Sequence, residues 1–155
     1  MRVERGGTIG RPVNRVFEYV STPGNDPTWV PASLRHEKLS PGPMRVGSIT
    51  EEDVGFLGRR MRYAWEITQY EPPTVFALRS VSGPIPATIR VLLESLDDAR
   101  TKLTLVADVH LRGAYKPMEP MMRWVAHRQF GTQLRTLPNL LESEAFRETS
   151  LSAIS

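Results

Sequence analysis

At 155 residues the chain is long enough for one domain with a sizeable core and too short for two ordinary ones. It contains no cysteine, which excludes disulfides and thiolate metal sites and points to a cytoplasmic setting; His36, His110 and His127 offer no close-spaced pair, so neither a metal nor a cofactor is expected. The net charge of +3 is scattered among carboxylates rather than gathered into a patch, and no apolar run reaches the length of a membrane span, so neither nucleic acid nor stable membrane insertion is expected.

Residues 2–9 read as a first strand, weakened by Gly6 and Gly7. A short helix follows, with Pro12 at its first position and Val13, Val16, Phe17 and Val20 as its inward stripe. Asn25, Asp26 and Pro27 open a second helical turn that carries Trp29, and Pro31 closes it.

From residue 34 to residue 108 the period changes from helical to alternating. The breaks are turn signals: Pro41-Gly42-Pro43, residues 55–58, Glu71-Pro72-Pro73, residues 83–86 and Asp97-Asp98-Ala99. Six strands fit between them. In the strand 59–70, Met61, Tyr63, Trp65 and Ile67 share one face, while Arg60, Arg62, Glu66 and Thr68 share the other. Phe76 and Leu78, then Ile89, Val91 and Leu93, then Leu103, Leu105, Ala107 and Val109 continue the apolar face. Strands joined by short turns pair antiparallel, so the product is a curved meander with one face to be covered.

Residues 116–144 supply the cover. Met118, Met122, Val125, Ala126, Phe130, Leu134, Leu137 and Leu141 recur at helical spacing in a long helix, with Pro138 predicting a bend. Gln129 and Gln133 fall inside this apolar arc, where packing alone favours Leu or Ala, and so suggest a polar-lined cavity. The domain spans 1–146, and residues 147–155 read as a flexible tail.

Several phrases now carry a resemblance. They are residues 9–20 (IGRPVNRVFEYV), Pro27-Thr28-Trp29, Val46-Gly47-Ser48, Gly58-Arg59-Arg60 leading into Trp65-Glu66-Ile67, and Tyr70-Glu71-Pro72-Pro73. Gly83-Pro84, Thr101-Lys102-Leu103-Thr104-Leu105 and residues 137–142 complete the set. Over about residues 2–143 the chain resembles the START-like, or SRPBCC, superfamily and, within it, the polyketide cyclase/dehydrase-like branch. The resemblance implies an α+β helix-grip fold: a curved seven-stranded antiparallel sheet wrapped around a long C-terminal helix, with two short helices after the first strand. It also implies a deep cavity for a lipid, sterol, polyketide or other apolar molecule, used for binding or transport, or for aromatase/cyclase or dehydratase chemistry without a cofactor. The phrases belong to the fold and transfer no catalytic residue.

In that geometry Trp29, Met61, Tyr63, Trp65, Phe76, Leu78, Ile89, Val91, Met122, Ala126, Gln129, Phe130, Gln133 and Leu134 are the expected ligand-binding residues. Alternation along Glu51-Glu52-Asp53 leaves two readings open: a carboxylate turned inward, which makes Glu51 and Asp53 candidate acid–base groups beside Tyr63 and His36, or a run of charges solvated at an open sheet edge. Trp124, beside Arg123 and Arg128, points away from the arc, and it leaves open a homodimer or an interaction module with a collapsed cavity.

Overall fold

Apolar–polar alternation in the middle of the chain resolves into six consecutive strands, and the first strand completes the sheet. The computed structural model describes residues 1–154, with side chains through Leu151. The strands are β1 (Arg2–Ile9), β2 (Ser33–Lys38), β3 (Ile49–Phe56), β4 (Arg59–Glu71), β5 (Val75–Ser82), β6 (Ala87–Asp97) and β7 (Arg100–Val109). They form one antiparallel seven-stranded sheet in the order β1-β7-β6-β5-β4-β3-β2. The helices α1 (Val13–Val20) and α2 (Asp26–Trp29), with a 3-10 turn between them, carry the chain from one edge of the sheet to the other.

The β3–β4 hairpin turns on two residues, Leu57 and Gly58, both with positive φ (50° and 76°), the backbone of the tight hairpin loop whose twist matches its strands. This loop sets the register: Glu52 faces Tyr63, and Asp53 faces Arg62. At the other side of β3, a register shift between Ser33 and Arg35 leaves Leu34 exposed and brings Ser33 and His36 to the same inner face.

The C-terminal helix α3 (Glu119–Ile154) follows a 3-10 turn over Gly113–Met118. It starts slightly later than the apolar pattern predicts and continues well beyond it. Residues 147–154, expected as a tail, are helical, because propagation adds one backbone bond per residue once a helix exists and Glu148 meets the Arg11 guanidinium at 3.6 Å. Ser155 lies outside the described residues.

Polar straps hold this helix at the β1 edge. Arg11 donates to the Leu141 carbonyl at 3.1 Å, the Gly10 N–H donates to Glu142 at 2.9 Å, and Arg15 binds Glu144 through both nitrogens. Leu137 and Leu141 are fully buried, in one core with Ile9, Val16, Phe17, Ile67 and Leu103. The helix is therefore packed solid around Leu137 and Leu141, while Gln129, Phe130 and Gln133 stand over the concave sheet. Among the described residues no helix is long and apolar enough to cross a membrane.

Candidate functional site

The concave face and α3 enclose a cavity of about 250 Å³. Its wall is apolar and aromatic: Trp29, Tyr63, Trp65, Phe76, Leu78, Ile89, Val91 and Phe130 all reach it. A second lobe of about 200 Å³ adjoins it, lined by Met61, Met122, Val125 and Ala126, and the two share Ala32, Val54, Tyr63, Ala87 and Gln129. Gln133 reaches the first lobe only. Neither Gln129 nor Gln133 has a hydrogen-bond partner among the described residues, so both amides are available at the helix side of the cavity. Leu134 is the exception among the expected lining residues. It packs against β1, its Cδ2 filling the space beside Gly7, because the α3 face turns from cavity to β1 at this position.

One corner of the first lobe is polar and buried. His36 on β2, Glu52 on β3 and Tyr63 on β4 lie in one row across the sheet, each opposite the next, and Asp26 of α2 closes the corner. His36 Nδ1 lies 2.6 Å from Asp26 Oδ2 and 3.5 Å from Glu52 Oε2, and its Nε2 lies 2.7 Å from the Thr50 hydroxyl. Trp65 Nε1 donates to Glu52 Oε1 at 3.1 Å. Both ring nitrogens of His36 therefore meet oxygens able to accept, the arrangement suited to an imidazolium. The Ser33 hydroxyl and the Trp29 indole N–H, also buried on the cavity wall, stand beside the Glu52 and Asp26 carboxyls and help to offset the rise in their pKa.

Glu51 and Asp53 are on the opposite face, away from the cavity, so the acid–base reading of these two residues does not hold. Arg35 donates to both, at 2.7 Å to Glu51 and 3.2 Å to Asp53, and Arg60 and Arg62 also pair with Asp53. These guanidiniums, Arg35 first, hold the Asp53 carboxyl below its ordinary range. The inward carboxylate is Glu52, the middle residue of the acidic run. Tyr63 faces the cavity, but its hydroxyl is engaged on both sides, donating to the Ile85 carbonyl at 2.9 Å and accepting from the Ile85 N–H at 3.2 Å. It positions the β5–β6 turn rather than offering a free acid. Asp108 lies on the surface in a pair with Arg2, and Trp124 is exposed beneath the Arg128 guanidinium.

The three corner groups titrate in one direction. Burial lifts the Glu52 and Asp26 carboxyls above their usual range, opposed by the neighbouring His36 charge. Burial alone lowers His36, but the bond and charge of Asp26 and the charge of Glu52 outweigh it and the ring is raised. A group whose folded pKa exceeds its unfolded value stabilises the fold fully below the unfolded pKa and loses that contribution as pH rises through the folded one. The cluster thus weakens the fold progressively from about pH 4, where ordinary carboxyls titrate, to above the ordinary histidine range at about 6.5. Glu52→Gln, which keeps an acceptor for Trp65, is expected to melt at the wild-type temperature near pH 4 and above it near pH 8. A difference that stays flat across this range, in thermal melts of both proteins, would contradict the assignment.

Asp26, His36 and Glu52 are also a group of donors within 4.8 Å of one another. Two tetrahedral ligands each about 2.1 Å from one ion stand roughly 3.4 Å apart. The 2.6 Å Asp26–His36 contact is a hydrogen bond that such an ion would have to open.

Comparison with known proteins places this geometry. A search of curated proteins gave no match. Among solved structures, Zhui aromatase/cyclase from a Streptomyces species superposes with a TM-score of 0.80 at 19% identity, over 94% of this chain and 95% of that one. A START superfamily protein from Mycobacterium smegmatis gives 0.78 at 17% identity, covering 92% and 97%. A conserved protein from Geobacillus kaustophilus gives 0.77 at 14% identity, covering 92% and 96%. At these identities the likeness establishes a START-like fold. The model of one sequence family, described as polyketide cyclase/dehydrase and lipid transport, matches residues 1–142, and the chain belongs to that family.

Proposed function

We propose that this protein binds a hydrophobic small molecule, of the lipid or polyketide kind, between its sheet and its C-terminal helix. The two-lobed apolar cavity carries the reading. Protein interiors pack at a density of about 0.75, so apolar space of this size between sheet and helix, in a domain this small, is room suited to a ligand. The family description and the aromatase/cyclase and START superfamily neighbours support the same class of occupant. The chain carries no cysteine and gains nothing from an oxidising compartment, so we place it in the cytoplasm.

Native mass spectrometry of protein purified from its own host, followed by extraction, tests this. The expected result is a stoichiometric apolar adduct that is lost in Ile89→Phe, a variant that fills the lobe from the sheet side while the domain still melts cooperatively. A bare mass, with no thermal shift from fatty acids, sterols or aromatic polyketides, would sink the reading.

The buried Asp26–His36–Glu52 corner favours a second reading, cyclisation or dehydration of a polyketide-like chain in the same cavity. An acid and a base within reach of one another are what an aldol closure followed by loss of water requires. Under this reading His36→Gln lowers single-turnover conversion of a poly-β-ketone thioester by about 10²- to 10⁴-fold while product affinity holds. A wild-type rate equal to that of buffer would leave binding as the whole function.

A further inference from the structure

Charge is balanced on the outer face of β3 and not on the inner one. Glu51 and Asp53 outside meet three arginines, Arg35, Arg60 and Arg62. Glu52 and Asp26 inside share one histidine, and neither cavity lobe is lined by a lysine or an arginine. With His36 as an imidazolium, the corner is one positive charge short. A buried carboxylate without a counter-charge is among the most costly groups a protein can hold, so the site must take up either a proton or a cation. What surrounds it fits an organic cation. Trp65 stacks on Tyr63 at 5.1 Å, Trp29, Phe76 and Phe130 complete an aromatic wall, and the Ser33 hydroxyl beside Glu52 leaves oxygen lone pairs that can accept from the guest.

We propose that the ligand of this cavity is a hydrophobic amine, its protonated nitrogen seated between Glu52 and Asp26 against the aromatic wall and its apolar body running under α3 towards Gln129. The inference rests on the cavity-binding reading above and names its ligand class. In the free protein a proton on the corner carboxyls supplies the missing charge, and the ammonium replaces it, so binding releases a proton to solvent. The groups that face Glu52 are Asp26 from α2, His36 from β2 and Tyr63 from β4; α3 contributes only the neutral Gln129 and Gln133. Arg35, on the outer face of β2, acts at a distance by disfavouring charge on His36.

Titration calorimetry with naphthylethylamine and its neutral partner naphthylethanol, in buffers of different ionisation enthalpy, separates the possibilities. The amine is expected to bind at least about tenfold more tightly than the alcohol, with net proton release. Glu52→Gln should remove that preference and the proton release. Equal binding of both compounds, or binding of neither, would overturn the amine inference; the cavity reading falls only if fatty acids, sterols and aromatic polyketides fail to bind as well. Should either Zn²⁺ or Mn²⁺ alone bind stoichiometrically and displace the amine, the corner is a metal site and the inference also fails.

Discussion

Gly83→Ala is expected to destabilise the domain by roughly 3 kcal/mol and to lower its melting temperature by about 10 °C. Two costs combine. Gly83 lies in the turn after β5 with φ of 140°, a conformation that residues with a side chain rarely adopt. A methyl group built there would also fall inside the ring of Tyr63, on Cδ1 and Cε1. Tyr63 has nowhere to go without breaking its two bonds to Ile85 and losing its stack on Trp65. Because Tyr63 lines both lobes, the same substitution should abolish ligand uptake. Gly58→Ala is the matched control. Its φ is also positive, at 76°, but nothing lies within 4 Å of the added methyl, so only the backbone cost of about 1 kcal/mol applies. Calorimetric melts of the two variants decide the matter, and equal losses would show that the contact with Tyr63 carries no weight.

The same turn region shows what was legible in the sequence. The alternation Met61, Tyr63, Trp65, Ile67 fixed the inner face of β4, and the stripe from Met122 to Leu141 fixed the helix that covers it, because both periods are set by backbone geometry within one element. What failed depended on the register between elements. Reading residues 55–58 as one turn leaves the pairing of β3 with β4 undetermined by a residue. One residue decides whether Glu52 or its neighbours Glu51 and Asp53 enter the cavity. The two-residue loop Leu57-Gly58 settles it, and a glycine at the second position of a short hairpin was the available signal. His36 reaches the inner face of β2 through a break in the alternation. The register shift between Ser33 and Arg35 leaves Leu34 exposed while Ser33 and His36 share the inner face, which strict alternation from Leu34 does not predict. Asp26 carries no sequence signal of the site, since opening a short helix accounts for it fully. Only the fold brings it within 2.6 Å of His36, ten positions away.

A double-mutant cycle at Asp26 and His36 should give the second largest effect, and it distinguishes a structural ion pair from a functional one. In a Glu52→Gln background, which removes the third charge and keeps the acceptor for Trp65, Asp26→Leu and His36→Leu alone are each expected to cost about 3 kcal/mol near pH 6. Each leaves a buried polar partner facing hydrocarbon. The pair Asp26→Leu/His36→Leu should cost far less than their sum, because the two desolvation penalties vanish together and only the Thr50 hydroxyl loses a partner. Urea unfolding of the four proteins measures the coupling, and additive losses would show that the 2.6 Å bond contributes little. Strong coupling with a nearly neutral double variant means that apolar residues of similar size serve the fold almost as well as the charged pair. A corner that the fold can dispense with, placed on the wall of an aromatic cavity and lacking one counter-charge, is then explained by what it binds.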